Sequence, residues 1–247
     1  MDVSVILNVF KRPHTLESQI EAIKNQTIKV RSEDIHVWYN TPNEDIEQFL
    51  PNDDKIRTYE CNYNTKFFGR FTLPLLCKTK YIAIFDDDII PGKKWFENCI
   101  KNIEQQNGIL GGSGVITNGK TYSPNIKVGW NGIHADKAAM VDLVGHAWFF
   151  KQDSAKLMWL EPPPSWENGE DIFLSYVAQK YGIPTYVPPH PENEKDLWSN
   201  QPDKAKTNGV EWGFDKNAHS LVNNDHLNER NLIVTTLKNK GWKLIHN

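Results

Sequence analysis

The apolar positions of this chain fall into short β-rich runs separated by stretches of helical periodicity. Residues 3–10, Val-Ser-Val-Ile-Leu-Asn-Val-Phe, make the first run. Beyond Pro13, Leu16, Ile20 and Ile23 recur at the spacing of an amphipathic helix, with Glu17, Gln19, Glu21 and Lys24 assigned to its other faces. Residues 35–39, closed by Asn40 and Pro42, and residues 56–61 repeat the strand pattern, with a short helix expected between them at 46–50. A polar, aromatic connector over 62–70 leads into a helical stretch at 71–78 whose start Pro74 limits or kinks.

The most concentrated run is Tyr81-Ile82-Ala83-Ile84-Phe85, too short for a comfortable helix. It passes without a break into Asp86-Asp87-Asp88, then Ile89-Ile90 and a Pro91-Gly92 stop. This predicts a strand buried on both faces that ends in a site. Downstream, Trp95, Phe96, Cys99, Ile100 and Ile103 define one helical face. Residues 108–119 carry five glycines without the spacing of a phosphate loop and read as strand and turn. Residues 141–151 predict another strand, followed by a short helix through Leu157 and Leu160 and a stiff Glu161-Pro162-Pro163-Pro164-Ser165-Trp166 connector. Glu170 and Asp171 open a helix with Ile172, Phe173, Tyr176 and Val177 on its apolar face, residues 183–187 form a last strand, and a helix over 229–239 follows. Alternating strands and helices predict a single α/β domain, a doubly wound, Rossmann-like mixed sheet, mainly parallel and flanked by helices. Ligands in such sheets bind at the carboxyl ends of the strands. Residues 192–228 are polar and read as a mobile surface loop or lid.

Composition narrows the field. With 247 residues and a net charge of -3, bulk electrostatics give no argument for nucleic acid or an anionic membrane as partner. Cys61, Cys77 and Cys99 are too few and too scattered for a disulfide framework or zinc knuckle. With no amino-terminal leader pattern and no run of about 18 apolar residues, the expectation is a cytoplasmic protein without a membrane span. Nine tryptophans, crowded into the second half, suit a core or stacking against sugar rings.

Three adjacent carboxylates repel one another unless water or a cation compensates. On an extended backbone Asp86 and Asp88 point to one side and Asp87 to the other, so one pair can converge on an ion, and oxygen ligands favour Mn2+ or Mg2+. A cation is the economical explanation, and a solvated acidic turn that caps the next helix is the alternative. Favourable alignment with a helix dipole would by itself account for Glu170 and Asp171.

Taken in order, the first strand with Arg12-Pro13, then Gly69-Arg70-Phe71, Phe85-Asp86-Asp87-Asp88-Ile89-Ile90, Val144-Gly145-His146-Ala147-Trp148-Phe149-Phe150 and Asn168-Gly169-Glu170-Asp171-Ile172 are similar to nucleotide-sugar-dependent glycosyltransferases of the GT-A fold. The chain most closely resembles the catalytic domain of the exostosin family. That resemblance implies a nucleotide-binding half over 1–92 and an acceptor and catalytic half over 93–247. Asn8, Arg12, Asn40, Asn64 and Arg70 would line the nucleotide pocket, Asp86 and Asp87 would contact ribose and donor sugar, and Asp88 would bind the metal, with His190 as an additional ligand. Asp171 would stand beside the reacting carbon, Glu170 would orient a sugar, and His146, Trp148 and Trp198 would wall the sugar or acceptor. The implied activity is transfer of a hexosyl or N-acetylhexosaminyl group from a UDP-sugar to a glycan hydroxyl, with retention. Inverting transfer, or a catalytically inactive nucleotide-sugar or glycan-binding module, is the alternative. Gly169 stands where the family carries a disulfide-bonded cysteine, a departure that agrees with a cytosolic protein. A sugar-phosphate nucleotidyltransferase would want a glycine-rich basic loop after the first strand, and Asn8-Val9-Phe10-Lys11-Arg12-Pro13 is not one.

Overall fold

A computed structural model describes residues 2–40, 47–130, 132–201 and 223–246. In chain order the main elements are β1 (Val3–Val9), α1 (Leu16–Lys24), β2 (Ile35–Tyr39), β3 (Arg57–Glu60), β4 (Tyr81–Phe85), α2 (Trp95–Gln105), β5 (Ile109–Thr117), β6 (Asn125–Gly129), β7 (Ala139–Val141), β8 (Leu143–Lys151), α3 (Glu170–Lys180), β9 (Thr185–Val187) and α4 (His226–Asn239). Two 3-10 segments, Gly69–Leu76 and Gln152–Trp159, replace the short helices expected there. Most of the stretch expected as a lid, 202–222, lies outside the described residues, as do 41–46, so only a 3-10 turn, Glu47–Phe49, remains of the helix expected at 46–50.

The strands join one mixed sheet in the order β3-β2-β1-β4-β8-β5-β9-β7, with β6 paired to β5. Its first four strands are parallel, as expected. The expectation of a mainly parallel sheet is corrected beyond that point: β8 runs antiparallel to both β4 and β5, and only β9 restores a parallel pairing. The parallel pair β1 and β2 is connected through α1, whereas β5 and β6 are joined by a short turn and pair as antiparallel strands do, so connectivity accounts for part of the mixture.

Side-chain alternation fills two cores. Val3, Val5, Leu7 and Val9 of β1, Tyr81, Ala83 and Phe85 of β4, and Ala147 and Phe149 of β8 face α1 and α2, meeting Leu16, Ile23, Trp95, Phe96, Cys99 and Ile103. Ile6, Ile82, Ile84, Val144, Trp148 and Phe150 face the other way, onto Phe71 and Leu73, Leu157 and Met158, and the apolar sides of α3 and α4. The central strand is therefore sealed on both faces, which is why its sequence reads as a continuous apolar run. All three cysteines are free and buried. No described helix is long and apolar enough to cross a membrane.

The carboxyl-terminal tail is tied to the sheet through Asp142, which lies buried between β7 and β8. Its carboxylate accepts hydrogen bonds from the Thr117 N–H (2.7 Å), the Thr117 hydroxyl (2.8 Å) and the Ile245 N–H (2.7 Å). Asp142→Ala would strand these donors, and we expect a loss of about 2–4 kcal/mol by urea unfolding with little change in the slope of the transition.

Candidate functional site

Because β1 sends the chain outward to β2 and β3 on one side and receives β4 on the other, the carboxyl ends of β1 and β4 lie at a topological switch point, the place where ligands bind in open α/β sheets. Antiparallel β8 brings its amino-terminal half to the same edge, where the Asp86 N–H donates to the His146 carbonyl (3.1 Å). The turn after β4 is fixed from below. Gln19 donates to the Asp86 carbonyl (2.7 Å) and the Ile89 carbonyl (2.9 Å), and Thr15 donates to the Asp87 carbonyl (2.5 Å). Gln19 is fully buried, so its assignment to an outer helix face is corrected: it takes a core position because two buried carbonyls need a donor.

Asp86, Asp88 and His146 each offer one ligand atom within 4.8 Å of the others. The imidazole reaches this position through a bulge. Opposite Gly111 and Ser113 of β5, β8 accommodates one extra residue between Gly145 and Trp148, and His146 takes a left-handed φ of 66°. Bulges re-aim side chains beside sites, and a left-handed backbone at a residue with a Cβ is a cost that the surrounding sheet sustains. Burial lowers the His146 pKa against the pull of Asp86 and Asp171, favouring the neutral ring that ligates metals.

The charges around this trio are arranged in pairs. Arg12 binds Asp87 at 2.5 Å and lies 3.9 Å from Asp88. Arg70, buried, pairs with Asp86 and, at 3.0 Å, with Glu170. Arg230 of α4 pairs with Asp171 at 2.6 Å and stacks over Tyr122. Burial, then the charges of Asp87 and Asp86, push the Asp88 carboxyl up to about 7 against the pull of Arg12. Asp88 Oδ1 is a buried oxygen with no hydrogen-bond partner among the described residues. Two carboxylates, an imidazole and an orphaned buried oxygen suit a hard or borderline divalent ion such as Mn2+.

Of the residues expected from sequence, Arg12, Arg70, Asp86, Asp87, Asp88, Glu170, Asp171 and His146 meet at this edge through the contacts above. Asn8 is the penultimate residue of β1, paired in register with Trp38. Asn40 is spent on structure: its amide accepts from Thr65 N–H (2.9 Å) and donates to the Lys66 carbonyl (2.8 Å) and to Asn64 Oδ1 (3.1 Å), so Asn40 and Asn64 pin the 62–68 connector together. His190 is not in the trio. It is buried in a stack with Trp198 (ring centroids 4.5 Å apart) and His134, with its Nδ1 2.9 Å from Nδ1 of His134, and burial lowers its pKa to about 4. Of the aromatic residues that could equally wall a sugar or fill core, Trp148 is 1% exposed beneath Arg70 and Trp198 is 6% exposed, both buried.

Three contributors escaped the sequence reading. Thr15 and Gln19 carry no chemical signature, but Gln19 sits between Leu16, Ile20 and Ile23, on the face that had to be buried. Arg230 precedes Ile233, Val234 and Leu237 at helical spacing, so a cation on the apolar face of α4 was the available sign. Gly169 is the N-cap of α3 at φ 83°, a left-handed backbone that strains any residue with a Cβ; a Cβ there would also lie 2.6 Å from Ile233 Cδ1, the mobile end of that side chain. No family model matches this chain, and no curated protein does.

Burial, followed by the neighbouring Asp171 charge, raises the Glu170 carboxyl to about 7, Arg70 opposing. Its folded pKa lies above its unfolded value, so the folded state binds the proton more tightly and the stability it contributes falls as pH rises from about 4.5 to about 7. Glu170→Gln, which cannot titrate, should therefore rise in stability relative to the parent as pH goes from 5 to about 7 and level off above, by at most ~1.4 kcal/mol per pH unit, on top of a pH-independent offset from the altered Arg70 pair. Parallel melting curves across that range check the sign, and a difference independent of pH would contradict it.

Proposed function

We propose that this protein is a metal-dependent glycosyltransferase of the GT-A type, moving a sugar from a nucleoside diphosphate donor, with UDP the expected nucleotide, to a glycan hydroxyl. The observation that carries this reading is the gathering of Asp86, Asp88 and His146 at the switch point, joined through Arg70 to the Glu170-Asp171 pair on α3. The similarity to the exostosin catalytic domain adds the reaction class and the expectation of retention.

In this reading Asp86, Asp88 and His146 hold a divalent ion, which when bound supplies neutralisation of the charge developing on the departing diphosphate. Arg12 and Arg70 set the carboxylates of the β4 turn and contribute positive charge at the phosphate end of the site. Arg230 fixes the rotamer of Asp171 so that its carboxylate stands beside the reacting carbon. With retention, Asp171 stabilises or attacks the electron-poor anomeric carbon; with inversion, it takes the acceptor hydroxyl proton. Glu170, held by Arg70, orients the sugar through its hydroxyls.

Thermal unfolding with UDP, GDP, CMP and UDP-sugars, each with Mn2+ and then with chelator, tests the donor site. A nucleotide at a hundredfold over its Kd should raise the midpoint by about 5–10 °C, and chelation or Asp88→Asn should remove the shift. No shift with any nucleotide would contradict the reading. Asp171→Asn should retain the shift and lower transfer by at least about a hundredfold, read as sugar release or transfer from the identified donor. Retained transfer would remove Asp171 from its role, and binding without transfer by the parent would favour the inactive binding module.

A further inference from the structure

Among the described residues, Trp159 and Trp166 stand 36% and 52% exposed. The Trp159 N–H is committed to the Phe71 carbonyl (3.2 Å). Trp166 makes no hydrogen bond among the described residues, and its ring rests against the buried Phe68 in an edge contact with centroids 4.9 Å apart. About half of a large, half-immobilised indole is thus left facing water. Its position ties it to the site. Trp166 lies four residues before Glu170 and Phe68 lies two residues before Arg70, the ion pair that joins α3 to the β4 turn. Four residues span at most about 14 Å, so the indole stands beside the Glu170-Asp171 pair. The connector that carries Phe68 leaves the carboxyl end of β3, on the same edge of the sheet as the ends of β1 and β4.

The connector meets Trp166 in a conformation that opposes local preference. Lys66 has φ 55°, left-handed for a residue with a Cβ. Asn64 Oδ1 accepts the Lys66 N–H (2.8 Å) and Asn40 donates to the Lys66 carbonyl (2.8 Å), which holds the strained residue in place. The Lys66 ammonium then pairs at 2.9 Å with Glu167, the residue after Trp166, and both side chains are exposed. Two contacts, Phe68 with Trp166 and Lys66 with Glu167, therefore join the two loops into one surface.

We propose that Trp166 is the platform of a saccharide subsite, taking the C–H face of a neutral pyranose of the acceptor on its indole. The proposal rests on the glycosyltransferase reading and adds to it a residue that selects the acceptor ring. A single aromatic ring bordered by hydrogen-bonding groups suits a ligand that is apolar on its face and polar around its rim. A pyranose with equatorial hydroxyls has that pattern, since its axial C–H bonds make the faces and its hydroxyls make the rim. Lys66 supplies donors and Glu167 acceptors at this border, and as a pair they carry no net charge, so neutral hydroxyls match them better than an ionic group. The indole N–H is a further donor for a hydroxyl.

Saturation-transfer NMR of the whole chain with the methyl β-glycosides of glucose, N-acetylglucosamine and galactose, without nucleotide or metal, tests the proposal. We expect saturation of the ring C–H protons and binding that Trp166→Ala weakens by about two- to tenfold. Trp166→Phe should keep most of the binding, because it restores an aromatic face on the same loop, and Trp159→Phe should leave it unchanged. No saturation of any of the three glycosides would overturn the proposal, as would saturation that Trp166→Ala leaves intact. The nucleotide-dependent melting shift with Mn2+ reports separately on the donor site and should survive Trp166→Ala. Glycoside binding through Trp166 without any nucleotide shift would support the platform and contradict the transferase reading, whereas a nucleotide shift without glycoside binding would do the reverse.

Discussion

A single buried guanidinium connects the two halves of the site. Arg70 lies between Asp86, at the end of β4, and Glu170, at the start of α3, one hundred residues further along the chain. Its planar group rests 4.8 Å over the Trp148 ring and 5.6 Å from that of Phe71, so one face is apolar and the edge is committed to carboxylates. A charge withdrawn from water in this way is tolerable only while its partners stay in place, and losing either would leave an uncompensated ion in the interior. The fold around it follows from that requirement. The 3-10 segment Gly69–Leu76 must pack tightly enough on β4 and β8 to deliver the arginine, and α3 must begin where Glu170 can reach it.

Two further devices hold the geometry that Arg70 demands. Gln19 and Thr15 spend buried donors on the carbonyls of Asp86, Asp87 and Ile89, which stops three adjacent carboxylates from relaxing apart. The bulge in β8 lifts His146 out of strand alternation, where it would otherwise have joined a core layer, and turns it toward Asp86 and Asp88. Each device opposes a local preference, and each lies at the site.

What could be seen in the sequence was what local pattern determines. The Tyr81–Phe85 run, its terminal aspartates, the helix of α2 and the α3 start were legible because burial on both faces and helical spacing leave direct marks. The antiparallel insertion of β8 was not, since period-two alternation carries no strand direction. Trp148 and Trp198 read equally as walls or as core, because an indole in sequence looks the same whether it stacks on a sugar or, as here, on Arg70 or His190. Asn40 and Asn64 taken singly read more readily as turn residues than as base readers, and their bonds to one another and to the connector show the turn role directly. Arg230 went unnoticed because its partner is 59 residues away, a distance over which spacing conveys nothing.

The charge balance of the assembled site gives the strongest physical reason to expect a cation there. Asp86, Asp87, Asp88, Glu170 and Asp171 supply five carboxylates, and Arg12, Arg70 and Arg230 supply three guanidiniums, leaving two negative charges in a partly buried cluster. Two routes remove them: two protons, or one divalent ion. The groups pushed toward neutrality are Asp88, which bears the orphaned oxygen, and Glu170, both raised to about 7 by burial and by neighbouring carboxylates. Near neutral pH the cluster is thus poised between protonation and metal capture, and an ion among Asp86, Asp88 and His146 would displace the Asp88 proton. Binding should therefore release protons and strengthen as pH rises through 7, the opposite dependence to that of the metal-free fold.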